Sequence, residues 1–355
     1  MDIGVPKEVK VREGRIALVP AAVADLVKAG HRVFVETKAG LLSGYDDAMY
    51  EAAGANIVEN AVSVYASAKL IVKVKDPVME EVQYLNNQHI LFSYLHLAAN
   101  PELTSALAHQ SVTAVGFETI VDASGRLPLL APMSDIAGRI AIQAGTHLLH
   151  YSQGGKGVLL GGVAGAERGR IVIVGAGVAG FNAATVAAAL GAEVTVFDRQ
   201  REPLERARQI GANVTAEYAY PDAVKDAVIG ADLVVGAVLI TGQRAPHVVD
   251  ADTVSQMSAG SVIVDIAIDQ GGCIETSRPT SYDAPTYLVD DVIHFAVTNM
   301  PGAVPRTATQ ALSAVLVEPL LRLCQPDWQA HKDLRSGVNI DRGEIVHPAL
   351  VGLIA

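Results

Sequence analysis

Gly175-Ala176-Gly177-Val178-Ala179-Gly180 stands directly after the apolar run 171–174 and directly before the alanine-rich run 182–190. Three glycines at this spacing are a weak signal alone. Closing a strand and opening a helix, they become a strong one. Gly175 allows the tight turn, Gly177 lets backbone approach a pyrophosphate, and Gly180 lets helix and strand pack closely. The free amides of the helix N-terminus then meet the phosphate charge. A second apolar run, 193–197, ends in Asp198. An acid about twenty residues past the glycines is where a ribose 2′-hydroxyl is held. A carboxylate there repels a 2′-phosphate, so the pattern reads as NAD rather than NADP. Arg199 and Arg201 follow at once and pull the other way. The bland alternative is a glycine-rich turn in some other α/β fold.

The organisation around this fingerprint is α/β throughout. Strand-like runs at 2–5, 31–36, 70–74, 90–94 and 113–117 precede it, with a helix over 20–29. Later strands fall at 233–238, 261–266 and 293–297, the first of them within a short apolar stretch from Leu233 to Ile240 that reads as a buried strand. This alternation argues for parallel sheets. Ser134 is a plausible N-cap for a long helix reaching Tyr151, with Asp135 in its first turn. A glycine-rich loop follows it, and a last helix spans 307–323. A chain of 355 residues suggests two domains. The expectation is two Rossmann-like, doubly wound domains with an active-site cleft between them. One is a discontinuous substrate domain, 1–133 plus 304–355. The other is an NAD-binding domain, 134–303, opened by the long helix.

The net charge of −11 argues against a nucleic-acid partner, which would need a basic face. Two cysteines, Cys273 and Cys324, provide neither a metal-ligand spacing nor a disulfide framework. A reducing cytoplasm is the expected compartment. The first residues do not read as a signal peptide, and no run approaches the roughly 18 apolar residues of a membrane span.

A nicotinamide cofactor carries the hydride, so the protein must supply orientation and proton transfer. Arg15, soon after the first strand, could grip a carboxylate with two parallel hydrogen bonds; otherwise it is a solvated loop arginine. Lys73 and Lys75 alternate with valines, and period two puts both on one face of a strand. Lys75 ends that strand, where α/β folds place ligands; the alternative is a wet edge strand. His96 ends another strand, and imidazole suits proton transfer near neutral pH. A buried structural histidine is the competing reading. Asp269 follows a strand and precedes Gly271-Gly272, at the carboxyl edge, where it could orient water or ammonia. Asp265 reads as internal and structural. Asn299-Met300 closes the last strand at a similar level.

Taken together, these residues resemble the alanine dehydrogenase family, a relative of the NAD-binding subunit of proton-translocating transhydrogenase. The resemblance covers essentially the whole chain. It rests on Gly4-Val5-Pro6-Lys7-Glu8, Lys73-Val74-Lys75-Asp76-Pro77, Tyr94-Leu95-His96-Leu97-Ala98 and Pro128-Leu129-Leu130-Ala131-Pro132-Met133-Ser134. It continues through Gln153-Gly154-Gly155-Lys156-Gly157, Asp265-Ile266-Ala267-Ile268-Asp269-Gln270-Gly271-Gly272 and Asn299-Met300-Pro301-Gly302-Ala303. The resemblance implies that Arg15 and Lys75 bind the substrate carboxylate and keto oxygen. It makes His96 the general acid/base and lets Asp269 position water and ammonia. Ser134, Val178, Asp198, Val238, Leu239, Ile266 and Met300 match cofactor contacts, and Asn299 lies beside the nicotinamide. The implied reaction is reversible: L-alanine, NAD and water give pyruvate, ammonia and NADH. The implied assembly is a homohexamer with no membrane partner. Two readings stay beside it: an amino-acid or opine dehydrogenase with a larger substrate, and an NAD(H)-binding subunit without turnover. The segment after Asp198 is shorter than the family's usual one, and Thr241 stands where proline is common.

Overall fold

A computed structural model describes residues 1–239 and 245–351. Ile240 and Thr241 lie outside the described residues. Two compact units divide the chain: Met1–Met133 with Gly302–Ala355, and Ser134–Pro301.

The first unit holds strands β1 (Asp2–Val5), β2 (Arg32–Glu36), β3 (Asn56–Val58), β4 (Leu70–Lys75), β5 (Ile90–Tyr94) and β6 (Thr113–Gly116). The second holds β7 (Arg170–Val174), β8 (Glu193–Asp198), β9 (Val214–Tyr218), β10 (Leu233–Gly236), β11 (Val262–Asp265), β12 (Thr286–Val289) and β13 (Val292–Phe295). The chain then returns to the first unit for β14 (Val338–Asp341) and β15 (Glu344–Ile345).

The first sheet runs β15-β14-β6-β5-β4-β1-β2-β3 and the second β12-β13-β11-β10-β7-β8-β9. All pairings from β1 to β6 are parallel, while β14 and β15 are added antiparallel. In the second sheet only the β12–β13 hairpin is antiparallel. Both parallel parts therefore share the order third-second-first-fourth-fifth-sixth, the doubly wound arrangement. Strands buried on both faces need continuous apolar runs. Ile171–Val174 and Leu233–Val235 supply them around a core with Phe197, Val224 and Ile263. In the first unit Ile71, Leu91, Ala114 and Ile340 serve the same purpose.

Each sheet changes direction between two strands, β1 and β4 in the first and β7 and β10 in the second. Such switch points open a crevice beyond the carboxyl ends of the strands, where ligands bind.

Two local expectations are corrected. The long helix spans Ala131–Leu148, so Ser134 is its fourth residue and not its N-cap, and Asp135 lies beyond the first turn. Pro132 explains the early start, since an amide in the first turn has no intrahelical partner to lose. The alternation along β4 is also interrupted. Val72 pairs with Phe92 but Lys75 with Tyr94, so one extra residue intervenes. That bulge separates the two lysines: Lys73 is 1% exposed and Lys75 is half-buried. Nor is β4 a wet edge strand, for it lies between β1 and β5.

Candidate active site

Most of the candidate side chains stand at or after the carboxyl end of a strand, several of them beside a switch point. In the first unit Arg15 comes after β1, Lys75 ends β4 and His96 follows β5. Tyr94 ties them together. It pairs with Lys75 across the sheet, lies parallel to His96 with ring centroids 6.2 Å apart, and its hydroxyl feels the Arg15 charge. That hydroxyl donates to the Leu129 carbonyl at 2.6 Å, and burial pushes its pKa up, so it remains a donor.

Arg15 is 2% exposed, which removes the solvated-loop alternative. Burial works against its charge, but Glu13 more than offsets this and raises its pKa. The pair is bidentate, with Nε to Oε1 at 2.6 Å and Nη2 to Oε2 at 2.5 Å, while Nη1 donates to the Met133 sulfur at 3.2 Å. The loop itself is anchored by helix Pro305–Leu323: Ile16 donates to Thr309 and Val19 to Ser313, each at 3.0 Å.

Lys73 serves a different purpose. Its Nζ meets Glu81 at 2.8 Å and Glu8 at 3.5 Å, all three buried. Burial opposes the Lys73 charge, and the two carboxylates overcome it and raise its pKa. Burial pushes Glu8 up against the pull of Lys73. Glu8 also accepts the Val74 amide at 2.6 Å and the Lys75 amide at 3.4 Å. It therefore closes the bulge that delivers Lys75.

His96 is exposed and not the buried structural histidine of the competing reading. Its backbone is left-handed, φ 47° and ψ 38°. A non-glycine residue there is strained, and such strain concentrates at functional sites. Its amide donates to Glu118 at 2.7 Å.

In the second unit the glycines follow β7. Gly175 has φ +104°, and a Cβ there would meet the Ala237 carbonyl at 2.5 Å, so only glycine fits between β7 and β10. A Cβ on Gly180 would meet the Gly175 carbonyl at 1.7 Å, whereas one on Gly177 would meet nothing within 4 Å. Gly177 caps helix Val178–Ala189 without a side-chain hydrogen bond. Asp198 ends β8 and accepts the Ala176 amide at 2.7 Å and the Gln200 amide at 2.8 Å. It therefore shapes the glycine loop from below. Val178 (41% exposed) and Leu239 (48% exposed) are apolar side chains presented to solvent beyond β7 and β10, with Val238 half-buried beside them. Open backbone, helix amides, a fixed acid and exposed apolar flanks fit a dinucleotide.

Asp269 is exposed in the turn Ile266–Gln270 after β11, with Ile266 half-buried at its start. The Asn299 amide points to its Oδ2 at 3.4 Å, and Asn299 is left-handed with φ 59°. Met300 is buried, and its carbonyl accepts from the Tyr282 hydroxyl at 3.0 Å. Ser134 is half-buried in its helix, whose Asp135 accepts from Asn182 at 2.6 Å. Asp265 is fully buried, its pKa raised by burial, and accepts the Ala267, Cys273 and Ile274 amides. This is the internal role expected of it.

Sequence reasoning passed over Glu8, Glu13, Tyr94 and Glu118. Glu8 and Glu13 carried a local signal, acids flanking a short segment between apolar runs. Glu118 carried none, because its partners lie more than twenty residues away.

Against known proteins, the alanine dehydrogenase/PNT N-terminal domain matches residues 4–137 and the corresponding C-terminal domain matches 141–348. The chain belongs to this family. The alanine dehydrogenase of Bacillus subtilis is 47% identical over 99% of this chain and 94% of its own. That of Mycolicibacterium smegmatis is 45% identical over 99% and 96%. Among solved structures, an L-alanine dehydrogenase superposes with a TM-score of 0.95 at 46% identity, covering 99% of both chains. A transhydrogenase from Sinorhizobium meliloti gives 0.85 at 26% identity, covering 98% of this chain and 100% of its own. Among the described residues no helix is long and apolar enough to cross a membrane, and no group of three or more His, Cys, Asp or Glu could hold a metal ion.

Proposed function

We propose that this chain is an L-alanine dehydrogenase that uses NAD, converting L-alanine and water reversibly to pyruvate and ammonia. One observation carries the reading. Cations, an imidazole and a glycine loop all stand at the carboxyl ends of strands around two switch points, within a chain whose full length is similar to alanine dehydrogenases.

The second unit is the dinucleotide domain and the first the substrate domain. Gly175, Gly177 and Gly180 bring backbone to the pyrophosphate, Asp198 takes the ribose, and Val178, Val238, Leu239, Ile266 and Met300 flank the cofactor with Ser134 and Asn299. Hydride acceptance is the chemistry NAD supplies when bound. Arg15, pre-set by Glu13, and Lys75, delivered by the β4 bulge, fix the substrate carboxylate and keto oxygen. Holding reactants in this way removes several kcal/mol of barrier, on the order of 7–11 kcal/mol at best. His96 takes and returns the proton of the attacking water, and Asp269 orients that water and the leaving ammonia. The assembly is a homohexamer in the cytoplasm, as the family resemblance implies.

The test is NADH formation from L-alanine with NAD and then NADP, with the reverse pyruvate-plus-ammonia assay alongside. Turnover with NAD in both directions is expected. His96→Ala should lower kcat by about a thousandfold while leaving NAD affinity nearly unchanged. NADH binding without turnover in the parent chain would instead make it a nucleotide-binding partner, and equal losses in both quantities would remove the role assigned to His96.

A further inference from the structure

We infer that Glu118 is a positioning residue for His96, a role that rests on His96 being the proton-transfer group. Strand β5 ends at Tyr94, and its neighbour β6 ends at Gly116. The amides of Leu95 and His96 thus lie beyond the parallel ladder that would otherwise pair them. Glu118, on the short turn Phe117–Thr119 directly after β6, takes both. The Leu95 amide lies 3.2 Å from each carboxylate oxygen, and the His96 amide donates to Oε1 at 2.7 Å. Hydrogen bonds to an ionised carboxylate are roughly twice as strong as neutral ones.

The left-handed backbone of residue 96 is disfavoured for a side chain with a Cβ. Two charge-assisted bonds to consecutive amides are enough to hold it. Released from them, the peptide relaxes to a commoner conformation and the imidazole leaves the face of Tyr94, to which it lies parallel within 14°. The clamp is itself held on both sides. Phe117 is fully buried and meets Phe92 and Tyr94 edge-on, with centroids 4.4 and 4.9 Å away. Thr119 donates to the Gly116 carbonyl at 3.1 Å and receives the Asn339 amide nitrogen at 2.8 Å. One aromatic stack, Phe92–Phe117–Tyr94–His96, therefore fixes acid and imidazole in the same frame.

Glu118→Gln keeps the shape but loses the charge and one acceptor oxygen. It should lower kcat by about tenfold to a hundredfold, the range that misplacement of a reacting group produces, with KM for L-alanine and the affinity for NAD changed less than about twofold. The discriminating background is His96→Gly supplied with free imidazole. Residue 96 then needs no help to be left-handed, so Glu118→Gln should alter the imidazole-supported rate less than about twofold. An equal loss in both backgrounds overturns the proposal and makes Glu118 act on the substrate or on the fold as a whole. Amide hydrogen exchange gives a second readout that needs no rescue: Leu95 and His96 should exchange fastest in Glu118→Ala, with Glu118→Gln, which keeps one acceptor oxygen, between it and the parent. Unchanged exchange overturns the clamp. Full turnover in His96→Ala would strike the underlying reading instead, and so is told apart from failure of the clamp.

Discussion

The two units are built on one strand order and furnish its crevice in opposite ways. In the second unit the switch point is lined by backbone. Glycines bring two loops within a Cβ's reach of each other, and the helix beyond them begins without a side-chain cap. In the first unit the same place is lined by buried charge: Glu8, Glu13, Arg15, Lys73 and Glu81 are all nearly inaccessible. Topology chooses where a ligand sits, and the furnishing chooses its chemistry. Bare amides suit a pyrophosphate of variable hydration. Cations locked by acids suit a small carboxylate whose Cα must be aimed.

The comparison breaks most severely at Lys73. Lys73→Met leaves Glu8 and Glu81 buried without their cation, and removing one partner of a buried pair costs about 3–5 kcal/mol. Denaturant unfolding should show that loss, and turnover should fall with it because Glu8 no longer holds the bulge before Lys75. A loss under about 1 kcal/mol would mean that the charges in this crevice are individually dispensable.

In the second unit the glycines separate folding from binding. Gly180→Ala drives a methyl group into the Gly175 carbonyl and should cost about 3 kcal/mol by overpacking. Gly177→Ala meets open space, so stability should change by less than about 0.5 kcal/mol. Its methyl group occupies the approach assigned to the pyrophosphate, however, and affinity for ADP-ribose should drop about tenfold, ~1.4 kcal/mol. If Gly177→Ala binds as tightly as the parent, the dinucleotide does not lie against that turn.

Asp198→Gly is expected to match Gly177→Ala in its effect on binding and to fall short of Gly180→Ala in its effect on stability. It removes the acid assigned to the ribose together with the acceptor for the Ala176 and Gln200 amides. Titration calorimetry should show NAD binding weakened by about tenfold and NADP gaining relative to it. Unchanged NAD affinity would detach the fingerprint from its acid.

Much of this was legible in the sequence for a physical reason: strands and their ends are local patterns. The glycine turn, Asp198 and the run before His96 are each encoded within a few residues. What sequence left hidden depends on partners far along the chain. Period two could not reveal the β4 bulge, which exists because Glu8, 66 residues from Val74, captures an amide there. Ser134 resembles a cap because serine before a helical run commonly is one, but the helix begins a turn earlier, at Ala131, with Pro132 in its first turn. Strands of two or three residues, β3 and β15, carry too little alternation to stand out, and pairing with a neighbour defines them.

The smallest expected effect concerns pH and again differs between the units. In the second unit His294 is buried in β13, with Nε2 2.7 Å from Thr276 Oγ1 and Nδ1 3.0 Å from the Val292 carbonyl oxygen. Burial holds its pKa below the ordinary 6.5, against the pull of that carbonyl and Asp290. Between 6.5 and the lower native value, the unfolded chain binds a proton that the folded chain refuses. Its contribution is therefore complete above about pH 6.5, falls as pH is lowered through that window and levels off below the native pKa. In the first unit His347 is shifted the same way by burial, with Glu118 opposing. Thermal melts from pH 7.5 down to 5 should show Tm falling, and His294→Gln should flatten that fall in the second unit alone. A slope unaffected by His294→Gln would take the acid sensitivity away from His294 and leave it with the first unit, where burial lowers His347 and His31 alike.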